Sequence, residues 1–455
     1  MMQPRASMFG GSWLNDGNAG SRYANVAYNW PENSNDNIGA RGRSDDRLSA
    51  WERSRPSRQA RRALTSRSRS LSAFSAAPKS LWSARVSRFG EHISRSGRTG
   101  RREFCSSRPA AGFLIWNGSQ MTRRYRNLIG RIVSVSNMEA ALRLTAAGKR
   151  LTGGYLEFKE FSALNLADLA REMADGSYVA GTPHEFHIFD PKKRLISALP
   201  FRDRIAQQAL CLVIGPIFDR ALLPRAYACR PGKGTHAGVM QLQSDLRREG
   251  RANPRLYFLK TDFSAYFASI ERPVLWRLIE AKISCRATLG LIEAMVPRTG
   301  IGLPIGSLTS QIFANLYTGA TLDRHLQQTL RERLWYRYMD DLVVLGTSSE
   351  HLSAVKASIE AFSRDELGLR FSKWQIAPAA RGINFLGYRI WASHKLLRRD
   401  SVIRARRKIA AYRAAGEHER LRRFLAAWLG HARWADSSNL IRSLGIQQNG
   451  PEGRC

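Results

Sequence analysis

Along the chain the spacing of apolar positions changes period several times after residue 121, and each change predicts an element. Asn137 to Lys149 sets Ala and Leu at helical period with Asn137 placed as a cap, and Ala163 to Asp175 repeats the pattern. Glu185 to Asp190 alternates as a strand, Pro191-Lys192-Lys193 supplies a turn, and Arg194 to Leu199 completes a hairpin. Ile205 to Pro216 reads as a buried helix and Leu256 to Asp262 as a buried strand. Helices follow over 272–283 and 286–296, then a loop from Gly300 to Gly306 and a helix from Ser310 to Gln328. Trp335 to Leu345 predicts a tight hairpin, 351–363 a helix, and 369–376 and 384–391 short strands. Ser401 to Leu444 is helical in pattern almost throughout. The expected fold class is α+β with an antiparallel sheet at its centre.

No such period runs through the front of the chain. Residues 1–40 are rich in Asn, and residues 41–120 carry 18 Lys and Arg against 5 Asp and Glu in Ser/Arg alternations that bury little. This region is expected to be disordered, or to lie outside the folded enzyme. Composition then adds charge. The formal net charge is +35, and about +23 of it belongs to residues 121–455. A balance that basic predicts a polyanionic partner, because phosphate neutralisation releases counterions. An anionic membrane is set aside by the lack of any apolar run near the roughly 18 residues of a span, the longest run being broken by Pro216, Asp219 and Arg220. No signal core opens the chain, so a cytoplasmic protein is expected. Five cysteines (Cys105, Cys211, Cys229, Cys285, Cys455) without C-x-x-C spacing predict neither a disulfide framework nor a zinc knuckle.

Four short segments carry candidate chemistry. In Leu334 to Leu345, two apolar arms flank Met339-Asp340, which puts Asp340 and Asp341 at a hairpin tip. Adjacent carboxylates repel by about 4 kcal/mol at roughly 4 Å and an effective dielectric near 20, a cost that a divalent cation relieves; a solvated turn is the plain alternative. Asp262 ends the strand Tyr257 to Phe263 ahead of Tyr266-Phe267, and is either a third carboxylate or a helix cap. Three such groups can hold two Mg²⁺ about 3.5–4 Å apart for in-line phosphoryl transfer. Gly302 to Gln311 sets two glycines and a proline before a helix, so backbone there can approach a ligand closely, unless the loop is only a capping turn. Basic residues at Lys192, Lys193, Arg194, Arg202, Arg204, Arg230 and Lys233 beside Gly232 and Gly234 suit phosphates, or a solvated charged surface.

In that order, an acid-ended strand, a Leu-Pro-x-Gly loop and a Tyr-Met-Asp-Asp hairpin resemble the reverse transcriptase family over about Met121 to Leu444. The resemblance implies a right-hand polymerase with fingers, an antiparallel-sheet palm and a helical thumb. Its expected parts are a leader over 1–120, an N-terminal extension and fingers over 121–255, a palm with primer grip over 256–392, and a thumb and tail over 393–455. It implies an RNA-directed DNA polymerase with two Mg²⁺. Asp262, Asp340 and Asp341 would be catalytic and, with Phe263, would hold the metal. Lys192, Lys193, Arg194, Tyr266 (as steric gate), Ile305, Gly306 and Gln311 would contact the dNTP. Arg230, Lys233, Phe385, Leu386 and Gly387 would contact template and primer, and Lys373 is the candidate general acid.

Within the family, Ile305-Gly306 through Ser310-Gln311 and Ala228 to His236 resemble the enzymes of diversity-generating retroelements. That likeness implies copying of a template-repeat RNA into adenine-mutagenised cDNA, with a separate basic accessory variability protein as partner. Many relatives carry Gln at the position of Ile305, and losing that polar contact should loosen discrimination. Residues 1–40 then resemble a translated template repeat, with initiation expected at Met121; a basic RNA-binding arm is the rival account. The competing functions are another prokaryotic reverse transcriptase, of group II intron, phage-defence or CRISPR-associated type, and a non-catalytic RNA-binding protein of the same fold.

Overall fold

The computed structural model describes residues 124–189 and 193–446. The expectations for residues 1–120, initiation at Met121 and the placement of Lys192 lie outside the described residues. The described residues belong to one compact unit. They form α+β structure built on a four-stranded antiparallel sheet.

That sheet has the order β4-β5-β3-β6, with β3 Tyr257–Phe263, β4 Trp335–Tyr338, β5 Asp341–Gly346 and β6 Phe371–Pro378. β3 is paired on both edges, and its burial alternates only weakly because both faces are covered. One face is covered by the helix Ser349–Leu367, which begins on a Ser348 cap and ends at Gly368 with φ 61°. A second sheet, β7 Ile383–Phe385, β8 Tyr388–Ile390 and β9 Lys395–Leu397, is a meander. Its first turn, Leu386-Gly387, has positive φ at both residues (51° and 89°), the type I′ signature. A separate hairpin pairs β1 His184–Phe189 with β2 Lys193–Ala198, as the alternation predicts.

Helices surround these sheets. The largely buried helix Phe201–Asp219 is the central pillar of the N-terminal half and packs on Val135–Ala146 and Leu308–Gly319. Asn137 is not the cap of its helix, which starts at Val135; its amide instead donates to Ile132 O (2.7 Å) and Ala209 O (3.0 Å). The predicted helix 310–328 begins at Leu308, breaks at Ala320-Thr321 and resumes as a short turn and a π stretch, His325–Thr329. Two helices longer than a single turn went unpredicted, Gly153–Glu160 and Thr235–Ala252. The second hides behind a Gly-rich start: Gly234 sits at φ 113°, ψ −171°, a region essentially closed to other residues. The C-terminal helices Arg399–Ala414, His418–Ala432 and Ser438–Ser443 follow the basic pattern. Among the described residues no helix is long and apolar enough to cross a membrane.

Candidate active site

Register places the carboxylates. Asp262 on β3 stands directly opposite Asp341 on β5, and on its other edge opposite Lys373 on β6. Residues paired across antiparallel strands share a face, so Asp262, Asp341 and Lys373 all project to one side. Asp262 is a strand residue and caps no helix. A bulge after Asp262 inserts Ser372, whose hydroxyl donates to the Asp262 carboxylate at 3.1 Å. Asp340 sits in the two-residue turn between β4 and β5, the pair Tyr338 and Asp341 closing it.

The turn is held from below. Met339 adopts φ 53°, which costs an L residue on the order of 1 kcal/mol, and its side chain is buried. Its carbonyl accepts from Arg337 Nη1 at 3.3 Å. Arg337 itself is fully buried and bonded at both ends of its fork to Asp323, at 2.6 and 2.7 Å. Burial pushes the Asp323 carboxyl up and Arg337 opposes that push. The backbone of Arg337 also ties down the 225–234 connector: Tyr227 N donates to Arg337 O and Arg337 N to Arg225 O.

Electrostatically the site is relieved only at Asp341. Asp340 is pushed up to about 7, first by burial and then by the neighbouring charges of Asp262 and Asp341. Opposed acids of this kind are the donor chemistry a divalent cation satisfies. Asp341 is buried and raised by that burial, with Lys260 pulling the other way. Its carboxylate is turned onto Lys260, at 3.1 and 3.2 Å. Among the described residues, no three His, Cys, Asp or Glu side chains converge as a ready metal cage.

Other predicted residues divide. Phe263 follows Asp262 with its ring packed on Phe371 at 5.1 Å. Ile305 is half-buried, and its carbonyl accepts from Ser197 N of β2 at 2.9 Å, joining the loop to the β1–β2 hairpin that carries Lys193 and Arg194. Gly302 and Gly306 are required there by protein backbone: a Cβ would stand 3.1 Å from Ala268 O and 2.8 Å from Ser197 O respectively. Gln311 lies on the first turn of the helix Leu308–Gly319 and accepts from Cys229 Sγ at 3.4 Å. Lys373 is exposed beside Asp262, and Lys233 is exposed, with its ammonium on Pro224 O at 3.0 Å.

Three expectations need correction. Tyr266 is buried, its hydroxyl donating to Ala314 O (2.6 Å) and lying 2.9 Å from Thr318 Oγ1, so it does not face the cleft. Strand alternation would have kept it on the Asp262 face, but Ala265 turns through φ 44° into a 3-10 turn and breaks the parity. Its neighbour Phe267 is the half-buried aromatic there, with its carbonyl accepting from Leu303 N. Arg230 is committed internally to Asp219 and to the carbonyls of Leu223 and Ala226 (2.6, 2.6 and 2.9 Å), leaving no guanidinium face for a template. Phe385 and Leu386 bury their side chains, and Gly387 lies under the His431 ring; the exposed residues of that hairpin are Asn384 and Arg389. Sequence reasoning also missed Lys260 and Arg337. Both were visible as lone cations inside apolar runs, Lys260 two residues before Asp262 and hence on its face.

A paired acid-ended strand and acid-tipped hairpin bring three carboxylates together at one end of an antiparallel sheet. Residues 189–390 match the reverse transcriptase (RNA-dependent DNA polymerase) family, and this part of the chain is a reverse transcriptase domain. Over 277 residues the chain is 24% identical to protein YkfC of Escherichia coli (strain K12), covering 50% of this chain and 71% of YkfC. It is also 24% identical over 94 residues to nuclear intron maturase 1, mitochondrial, of Arabidopsis thaliana, or 21% of this chain and 12% of the maturase. Among solved structures it is similar to apo telomerase from Candida tropicalis truncated from its C-terminal domain, at TM-score 0.37 and 12% identity, covering 52% of this chain and 60% of that one.

Proposed function

We propose that the chain copies a retroelement template-repeat RNA into cDNA with errors at template adenine, for diversification of a target gene. The observation that carries the polymerase half is the register of Asp262 against Asp341 with Asp340 at the adjoining hairpin tip. Asp262, Asp340 and Asp341, with the Phe263 carbonyl, would hold two Mg²⁺, which when bound supply charge stabilisation to the primer 3′-oxygen and the departing pyrophosphate. Lys193 and Arg194, with Lys192, grip the triphosphate of the dNTP from the β1–β2 hairpin. Phe267, in place of Tyr266, excludes a ribose 2′-hydroxyl. Lys373, exposed on the Asp262 face, delivers the proton to pyrophosphate. Lys233 and the exposed Arg389 contact the nucleic-acid backbone.

The adenine half rests on Ile305. Its backbone is anchored to Ser197 while its side chain is apolar, so the loop is held in position but offers no hydrogen bond from that residue to an incoming base. A separate basic accessory variability protein and a structured RNA complete the system. The likeness to an intron maturase supports a second reading, a reverse transcriptase of the group II intron kind.

Primer extension on RNA with Mg²⁺ separates these readings. Asp340→Ala with Asp341→Ala should abolish extension, and equal activity in both proteins would end the polymerase claim. Ile305→Gln should lower misincorporation opposite adenine selectively; an unchanged adenine error rate would favour the intron-type reading.

A further inference from the structure

Lys260 is a part of the site that the polymerase chemistry does not account for. It lies two residues before Asp262 and therefore on the same strand face, diagonal to Asp341 across β3–β5. Its ammonium reaches both oxygens of Asp341, at 3.1 and 3.2 Å, and donates to Asn384 O of β7 at 2.6 Å. Both partners are largely withdrawn from water, with side-chain exposures of 20% and 6%. The lysine thus joins the catalytic sheet to the edge of the second sheet through one carboxylate. It also leaves the three aspartates unequal: Asp341 alone is drawn onto a cation of the protein's own, while the Asp262 carboxylate accepts from the Ser372 hydroxyl.

We propose that Lys260 is a positioning residue, a built-in counter-cation that holds Asp341 while no divalent cation is loaded and competes with metal for that carboxylate. The proposal rests on the reading of the three aspartates as metal holders. It requires that loading the site proceed against Lys260, since one carboxylate cannot give the same lone pairs to an ammonium and a cation. The Asn384 carbonyl gives the released ammonium a fixed station, so the lysine need move only a short way.

Melting of the full chain across a Mg²⁺ titration, without nucleotide, tests this in wild type, Lys260→Met and Lys260→Arg. Lys260→Met should melt lower than wild type without metal, because the buried Asp341 then loses the ammonium that lies on both its oxygens. Its half-saturating Mg²⁺ should fall by roughly threefold or more, and the melting gap should close at saturation. Lys260→Arg, which keeps the charge, should track wild type. A deficit in Lys260→Met that stays constant from zero to saturating Mg²⁺, with unchanged half-saturation, would overturn the proposal and leave the lysine a packing role. If Lys260→Met fails to fold, adding Asp341→Asn should restore folding, and failure to do so counts against the proposal equally. A wild-type protein indifferent to Mg²⁺ would sink the metal-holding reading as well, whereas a wild-type response with a metal-independent variant defect sinks Lys260 alone.

Discussion

Replacing Arg337 with Met should both unfold the protein more readily and misplace the Asp340 turn. Arg337 and Asp323 are each fully buried and joined by two bonds of 2.6 and 2.7 Å. Forming such a pair need not stabilise a fold, because desolvation offsets the attraction; removing one partner strands the other's charge, at a cost of about 3–5 kcal/mol. Unfolding entropy near 2 cal/mol/K per residue, over the roughly 320 described residues, gives about 0.7 kcal/mol/K, so about 4 kcal/mol corresponds to a fall of roughly 6 °C in Tm. Calorimetry checks that figure. The double variant Arg337→Met with Asp323→Leu should recover most of the loss, since neither partner of the pair is then left stranded. Primer extension should not recover with it: Met339 O has lost its donor, the strained turn is free to relax, and a displacement near 1 Å at a reacting centre costs on the order of a hundredfold in rate. A single variant that melts within about 1 °C of wild type, or a double variant no more stable than the single, would refute the reasoning. A fully active double variant would show that Arg337 does not position the turn.

Tyr266→Phe should cost stability, about 1–2 kcal/mol by melting, through the lost hydroxyl bond to Ala314 O, and leave discrimination between dNTP and rNTP unchanged. Phe267→Ala should instead raise rNTP incorporation about tenfold or more, read as the ratio of kcat/KM values; the reverse pattern would return the gate to Tyr266. Arg230→Ala should lower Tm by unpairing Asp219 without changing the salt dependence of RNA binding, while Lys233→Ala should leave Tm unchanged and reduce the salt slope by about one. Burial, then His236, pushes His431 down to about 4 where its ring covers Gly387 and contacts Tyr388. The unfolded chain takes up that proton first, so the contribution of neutral His431 is intact above about 6.5 and is lost as pH falls toward 4. Proteolysis within the helix His418–Ala432 should therefore accelerate over that window in wild type, and His431→Gln should flatten the change.

What residues 121 to 444 determine locally was readable without coordinates. The Tyr-Met-Asp-Asp turn, the β1–β2 hairpin and the strand ending at Asp262 follow from short-range alternation and turn chemistry, and the basic C-terminal helices from a 3.6 period. Asp262, Asp340 and Asp341 could be named because each sits at the end of such a unit. Period fails where the chain leaves a regular element. Tyr266 turns into the core and Phe267 is left half-buried because Ala265 enters a left-handed conformation that no alternation foretells. Arg230 reads as a phosphate ligand until Asp219 and two carbonyls are found around it, and Gly302 and Gly306 read as a ligand cradle until Ala268 and Ser197 fill the space. Leu386 likewise turns inward against Gly238 of the helix Thr235–Ala252, and His431 closes over Gly387. Lys260 reaches Asp341 across 81 residues of sequence, and Arg337 meets Asp323 only in the folded core. The carboxylates were decided by local spacing. Their positioning and counter-charge were decided by tertiary packing, because burial and pairing depend on which distant segments fill the space around a side chain.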